Sequence, residues 1–222
     1  MATHIDRKAL KEDAFRDSMF WAIDWVHQRR QWFIAAIGAV LIVAAGGAGY
    51  YYYHRSQMRA QAEGFYQAER AGSNPEMSEA ERQGRARKAY EAFVATYPSS
   101  ALAPVAWMHV ARLAWKAGDL DGARKAFQAV LAHGQTTPPQ RDLAHIGLGK
   151  LEESQGNLPA AAEQYKAVAE ASFDELKELS LGRIAAAQQQ PEEARQHFEK
   201  AARAAPGSQL AEWARQNLDY HP

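Results

Sequence analysis

The sequence predicts an all-α protein with a single N-terminal transmembrane helix, followed by an α-solenoid of about 3.5 helix pairs and a C-terminal cap helix. The first observation behind this prediction is an uncharged, apolar stretch from Trp32 to Tyr53. The second is that apolar residues beyond Arg55 recur at helical spacing, while no alternating pattern of useful length indicates a strand. The third is that this helical region repeats itself every 33 to 38 residues, which is typical of stacked helix pairs.

The residues before the apolar stretch, 1–31, are expected to form an N-terminal arm. Within it, four apolar residues recur at spacings of four, three and four: Phe15, Met19, Ala22 and Val26. This pattern predicts an amphipathic helix over residues 7–28. Such a helix would lie in the membrane interface or pack against a partner, and a short, partly ordered tail is the alternative.

The uncharged stretch is expected to be a transmembrane helix over residues 32–53. At about 1.5 Å per residue, a helix of this length covers a hydrocarbon core of roughly 30 Å. Aromatic residues stand at both of its ends next to cations, as is typical of the two headgroup zones. A buried core helix would show a polar face, and a cleaved signal peptide would have a shorter leader and a shorter apolar run. An uncleaved anchor therefore fits the stretch better than either alternative.

The charges on the two sides of the span favour a cytoplasmic N-terminus. Six basic residues precede the span: Arg7, Lys8, Lys11, Arg16, Arg29 and Arg30. Three lie in the twenty residues after it: Arg55, Arg59 and Arg70. A count restricted to twenty residues on each side gives three and three, so the bias rests on the outer part of the arm.

Composition excludes several classes of function. The chain has 26 basic and 26 acidic residues, so no basic surface for nucleic acid is expected. Cysteine is absent, which excludes disulfides, thiolate nucleophiles and cysteine-ligated zinc. No catalytic motif or phosphate-binding glycine loop occurs outside the span, and the histidines have no paired spacing for a metal. We therefore expect no enzyme activity, no cofactor, no metal site and no small-molecule substrate.

The repeat after the span is marked by four alanines: Ala86, Ala123, Ala161 and Ala194. An aromatic residue follows each alanine by four positions: Tyr90, Phe127, Tyr165 and Phe198. A small residue precedes the last three alanines by twelve positions: Ala111, Gly149 and Gly182. Small residues let the two helices of a unit cross closely, and the aromatic ring fills the gap between stacked units. The turns Gly118-Asp119 and Gly156-Asn157 are expected to end one helix and cap the next.

At these positions the chain resembles the tetratricopeptide repeat family, which implies stacked antiparallel helix pairs over residues 80–222. Residues 54–79 are expected to form a stalk and the first repeat helix, which ends in the loop Gly72-Ser73-Asn74-Pro75. The last unit departs from the pattern, because Gln189-Gln190-Pro191 stands in place of a Gly-Asn turn. Residues 208–220 are expected to form the cap helix, with one apolar face: Leu210, Ala214 and Leu218.

The layout of arm, single span and repeats resembles a bacterial inner-membrane family, the ancillary SecYEG translocon subunits, which is related to the cell-division coordinator CpoB. The resemblance implies a periplasmic repeat domain that binds translocon subunits, periplasmic chaperones or their clients. An organiser of an envelope or cell-division complex is the alternative.

The candidate binding surface follows from the same resemblance, which implies that the first helix of each unit lines a groove. The residue after each small crossing residue is basic: Arg112, Lys150 and Arg183. One helical turn before it stands an apolar residue: Met108, Ile146 and Leu179. Trp115 and Lys116 lie on the first of these helices. We expect a groove for protein segments with acidic groups and hydrophobic anchors, and three solvated cations are the alternative.

Overall fold

A computed structural model describes residues 19–20, 25 and 29–216 of the chain. The predicted amphipathic helix over residues 7–28 lies mostly outside these described residues. The chain divides into two compact units, Met1–Met58 and Arg59–Pro222. In the described part all regular elements are helices, which confirms the all-α prediction.

The first helix, α1, runs without a break from Arg30 to Arg70. It is the one helix among the described residues that is long and apolar enough to cross a membrane. The apolar side chains of its first half are exposed, Trp32 by 79% for example. Its last part, from Arg59 onward, belongs to the second unit, where Phe65 packs against the rings of Tyr90 and Phe93.

The second unit continues as a series of antiparallel helices in a solenoid-like arrangement. Their bounds are α2 Glu79–Thr96, α3 Ala103–Lys116, α4 Leu120–Ala132, α5 Pro138–Ser154, α6 Leu158–Lys166, a 3₁₀ turn Ala171–Phe173, α7 Asp174–Ala187, α8 Pro191–Ala204 and α9 Gln209–Gln216. Helices α3 and α4, α5 and α6, and α7 and α8 pair within the three repeats. The last part of α1 and helix α2 precede them as a further unit.

The predicted close crossing of helices at small residues is present in the helix pairs α5–α6 and α7–α8, where the aromatic ring packs on the glycine of its own pair. A Cβ atom at Gly149 would lie 2.9 Å from Tyr165 Cε1, and one at Gly182 would lie 2.5 Å from Phe198 Cε1. Real Cβ atoms do not approach a ring so closely, so a larger residue would force the two helices apart. All four repeat aromatics are buried: Tyr90, Phe127, Tyr165 and Phe198.

The turns between paired helices follow the glycine prediction. Gly118 and Gly156 have φ angles of 76° and 77°, the left-handed region that favours glycine. Asp119 caps α4, because its Oδ1 accepts a hydrogen bond of 2.8 Å from the Gly122 amide. Asn157 does not cap α6 as expected. Its side-chain amide instead donates to Glu152 Oε2 at 3.1 Å.

The third turn has no glycine at the equivalent position, and the backbone still takes the same conformation. Gln189 has a φ of 61° and is the one residue other than glycine with a positive φ in the described part of the chain. A side chain in this region strains the backbone. The turn geometry is therefore set by the stacking of α7 and α8, against the preference of the residue that occupies it.

Two helices have features that the repeat spacing does not predict. Helix α6 ends at Lys166, because the buried Asp142 carboxylate accepts hydrogen bonds from the Ala169 and Glu170 amides and holds the chain out of the helix. Helix α9 buries Ala211 and Ala214 at 0% exposure, while Leu210 is 40% exposed. The buried face of α9 therefore includes Ala214, as predicted, but has Ala211 in place of Leu210. Residues 217–220 of the predicted cap helix lie outside the described residues.

Candidate peptide-binding groove

A cavity of about 450 Å³ opens between α3 and α5 in the second unit. Its lining comes mainly from these two helices and partly from α4: Met108, His109, Arg112, Trp115, Lys116, Phe127, Leu143, Ile146, Gly147 and Lys150. We call this cavity the α3–α5 groove. Six of the eight residues predicted from the sequence line it together: Met108, Arg112, Trp115, Lys116, Ile146 and Lys150.

Helical periodicity explains why these side chains meet. On α3 the lining residues recur at positions 108, 112, 115 and 116, and on α5 at 143, 146, 147 and 150. Residues three, four and seven apart share one face of a helix. Since each helix presents a single stripe, two packed helices enclose one groove between the stripes.

The floor of the groove is apolar. Ile146 is buried at 5% exposure, Met108 and Trp115 are half-buried, and Leu143 on the rim is 41% exposed. The Phe127 ring reaches the floor from α4, because Gly147 has no side chain to block it. A Cβ atom at Gly147 would lie 2.3 Å from Phe127 Cζ. An exposed leucine above a buried aliphatic floor is typical of a site for an apolar group.

The rim of the groove is positively charged. Arg112, Lys116 and Lys150 are all exposed, and the lining holds no carboxylate. Among the described residues, none of these three cations has a carboxylate oxygen within 4.0 Å. Arg112 instead lies near His109, with 3.3 Å between its Nη2 and the imidazole Nδ1. Exposed cations beside an apolar surface can bind a partner in which a carboxylate stands next to an apolar group.

His109 separates the groove from a second cavity. Its ring stacks on the buried Tyr90 ring, with centroids 4.6 Å apart and planes 7° apart. Burial, followed by the nearby Arg112 charge, lowers the pKa of His109 below its ordinary value, while Glu69 opposes the shift. This shift favours the neutral form of the imidazole.

The second cavity, of about 430 Å³, lies between the last part of α1, α2 and α3, and shares His109 and Arg112 with the groove. Its charges have both signs, with Glu69 and Glu79 beside Arg82. Arg82 is already engaged, because its guanidinium donates to the Met77 carbonyl at 2.9 Å. The charges of this second cavity therefore balance, Glu69 and Glu79 against Arg82 and Arg112, whereas the lining of the α3–α5 groove is purely basic.

Two predicted residues lie elsewhere. Leu179 is buried at 3% exposure in the apolar cluster around Phe198, so it does not line the groove. Arg183 donates from Nη2 to both carboxylate oxygens of Glu153, at 2.8 and 2.9 Å. The Tyr165 hydroxyl donates to the same carboxylate at 3.0 Å. Arg183 is therefore neutralised within the chain, unlike its counterparts on α3 and α5.

Sequence reasoning missed four lining residues: His109, Phe127, Leu143 and Gly147. Leu143 had a usable signal, since it stands three residues before Ile146 and seven before Lys150 on the same helix face. Gly147 stands on this face too, three residues before Lys150, and Phe127 was predicted to fill the gap between stacked units, but no sequence spacing relates Phe127 to Gly147. They belong to different units, and only the stacking of α4 on α5 brings them together.

The fold and the groove together define a class of protein: a helical-repeat scaffold for protein–protein interaction. The chain belongs to the tetratricopeptide repeat-like domain family, whose model matches residues 24–220. This match confirms the predicted repeat type, and it begins before the apolar half of α1. A search of curated proteins finds no significant match to the chain.

Domains of this family are typically scaffolds without catalytic activity. Within the described ranges, no group of three or more histidine, aspartate or glutamate residues is placed to hold a metal ion. The groove itself combines an apolar floor with a positively charged rim.

Proposed function

We propose that the protein is a membrane-anchored, protein-binding scaffold that captures polypeptide segments in the α3–α5 groove. The observation that carries the proposal is the combination of an apolar floor with three cations that have no carboxylate partner among the described residues. A cavity of about 450 Å³ has room for one large side chain and its neighbours, but not for a folded domain. The bound element is therefore a short segment of a partner.

The proposed affinity is modest. The three cations are exposed, and an exposed ion pair contributes only about 0.2–1 kcal/mol, less at high salt. Most of the remaining free energy comes from burying the partner's apolar side chain, at about 25 cal/mol per Å². Binding of this kind is weak and reversible, which suits clients that are held briefly and released.

The proposed location is the bacterial inner membrane, with α1 as the anchor. Its apolar half supports a single span, and the excess of lysine and arginine in residues 1–31 supports a cytoplasmic N-terminus. The repeat domain would then lie in the periplasm. Reporter fusions at Met1 and, separately, after Pro222 test this topology, and a cytoplasmic signal from the C-terminal fusion would overturn it.

The proposed role is assistance to protein translocation and to periplasmic chaperones. It is supported by the layout of arm, span and repeats, which resembles ancillary translocon subunits. Translocon subunits, chaperones and emerging clients are the partners this role requires. Recovery of cell-division or cell-wall proteins in their place would favour an organiser of an envelope complex.

Photocrosslinking in intact membranes tests the groove. A photoreactive amino acid replaces Leu143, which is exposed at the rim. The control replaces Gln128, which is exposed on α4 and does not line the groove. Adducts with other proteins are expected from position 143 and not from position 128. Equal adducts at both positions, or none at position 143, would contradict the proposed function.

A further inference from the structure

The first helices of the three repeats form two junctions, α3–α5 and α5–α7. Residues at corresponding repeat positions differ between these two junctions. Counted from the small crossing residue, Lys150 on α5 corresponds to Arg183 on α7, since each follows a glycine directly. In the same register Trp115 on α3 corresponds to Glu153 on α5, each four residues after the crossing residue. At the α3–α5 junction, a tryptophan and a lysine therefore occupy the positions that a glutamate and an arginine occupy at the α5–α7 junction.

The α5–α7 junction contains a bound carboxylate from the chain itself. Glu153 accepts two hydrogen bonds from Arg183 Nη2 and one from the Tyr165 hydroxyl. The Glu153 side chain is 26% exposed and that of Arg183 is 38% exposed, so the pair is partly shielded from water. The Arg183 guanidinium at this junction therefore already has a carboxylate partner within the chain.

The α3–α5 junction contains the same kind of cation without the carboxylate. Lys150, Trp115 and Phe127 line the open groove, and Phe127 stands where the next unit has Tyr165. Phe127 lacks the hydroxyl that Tyr165 donates to Glu153. This junction thus offers positive charge from Lys150, joined by Arg112 and Lys116, beside two aromatic surfaces.

We infer that a partner's aspartate or glutamate takes, at the α3–α5 junction, the place that Glu153 fills within the chain at the next junction. Lys150 acts as the counterpart of Arg183, and an aromatic or large aliphatic residue adjacent to that carboxylate packs on Trp115, Phe127 and Leu143. The occupant is a segment of a different protein, chosen by charge complementarity with three cations and no lining carboxylate. The inference rests on the proposed function and specifies the residues that the groove recognises.

Peptide binding to the full chain in detergent micelles tests this inference. The probe is a fluorescein-labelled peptide with one tryptophan followed by two glutamates in a glycine–serine frame, and its neutral counterpart has two glutamines. Fluorescence anisotropy is expected to show about tenfold tighter binding of the glutamate peptide, and the difference should shrink as salt is added. Equal affinity for the two peptides would overturn the inference.

Variants at Trp115 test whether the chain can fill its own groove. Trp115→Glu supplies Lys150 with an internal carboxylate, as Glu153 does for Arg183, and is expected to abolish binding of the glutamate peptide. Trp115→Leu keeps the wall apolar and is expected to retain the preference for glutamate over glutamine. Wild-type binding by Trp115→Glu with an unchanged helical circular dichroism spectrum would overturn the inference.

Lys150→Gln provides the same test without a change in the wall, since Lys150 is exposed and has no ion pair with a described residue. It is expected to remove most of the preference for the glutamate peptide. A preference that survives this change would overturn the inference even if Trp115→Glu does not fold.

The crosslinks at position 143 separate failure of this inference from failure of the proposed function. Protein adducts together with equal binding of both peptides would support the proposed scaffold function and overturn the inferred recognition of a carboxylate. Absence of both adducts and peptide binding would overturn both the proposed function and the inference. Adducts that join two copies of this chain, or that carry lipid, would identify another occupant and overturn the inferred partner.

Discussion

Gly147 lies directly against the ring of Phe127, so that a Cβ atom at Gly147 would come within 2.3 Å of the ring Cζ atom. This contact joins α4 of one repeat to α5 of the next and forms part of the groove floor. Both residues are buried, Phe127 at 5% exposure. The stacking distance of the two repeats and the depth of the groove therefore depend on glycine at position 147.

Gly147→Ala is expected to destabilise the protein, because either the ring or helix α5 must move to admit the methyl group. Overpacking of this kind costs about 1–3 kcal/mol, which exceeds the gain of up to about 1 kcal/mol in helix propensity. Thermal unfolding followed by circular dichroism should show a lower midpoint for the variant.

Gly84→Ala is the matched control, since Gly84 also lies inside a helix but has no atom within 4 Å of the Cβ position. Here the gain in helix propensity is unopposed, and the midpoint should rise. A rise for both variants would show that the Phe127 ring yields without cost.

Local rules and repeat spacing account for most of the fold. The positions of Gly118 and Gly156 predicted left-handed turns, and Gly149 and Gly182 predicted close helix crossings, which the structure has. These features are repeated in the sequence, so each occurrence supports the others. The end of α6 was not predictable in this way, because it depends on Asp142, which comes from a different helix.

The groove was predictable only in part for the same physical reason. Met108, Arg112, Ile146 and Lys150 were found because they recur at fixed offsets from crossing residues. The same offsets predicted Arg183, but its environment is set by Glu153 and Tyr165, which vary between units. Repeat register predicts where a side chain stands, whereas charge pairing across units decides whether it is free to bind.

Gln189→Gly is expected to stabilise the protein. Gln189 has a φ of 61°, in a region that costs a residue with a side chain roughly 1 kcal/mol or more relative to glycine. Gln188→Gly is the control, because Gln188 has a φ of −86° and glycine only adds freedom to its unfolded chain. Chemical denaturation should place the two variants on opposite sides of the wild type. A loss of stability in Gln189→Gly would mean that the side chain offsets the strain.

Arg183→Gln and Lys150→Gln are expected to differ in stability although the two cations are equivalent in the repeat. Arg183→Gln leaves the Glu153 carboxylate with the Tyr165 hydroxyl as its one hydrogen-bond donor among the described side chains, and should cost about 1 kcal/mol for a partly exposed pair. Lys150→Gln removes no ion pair with a described residue and should stay within about 0.5 kcal/mol of the wild type. Equal losses in thermal unfolding would contradict the assignment of Arg183 to structure and Lys150 to binding.

His109 is expected to make stability depend on pH below neutrality. The folded chain holds the pKa of His109 below the value of 6.5 that an unperturbed histidine has, mainly through burial and then through Arg112, with Glu69 opposing. Between the two pKa values the unfolded chain binds a proton that the folded chain does not bind. The stability that depends on neutral His109 is therefore complete above about pH 6.5 and is lost as the pH falls from there through the folded pKa.

His109→Phe removes this titration while keeping an aromatic ring to stack on Tyr90. Thermal unfolding at about pH 7.5 and about pH 5.5 should show a smaller loss of stability for the variant than for the wild type. The remaining loss in the variant reports the other titrating groups, so the difference between the two proteins isolates His109. An identical loss in both would mean that the imidazole titrates alike in the folded and unfolded chain, and that burial and Arg112 do not favour its neutral form.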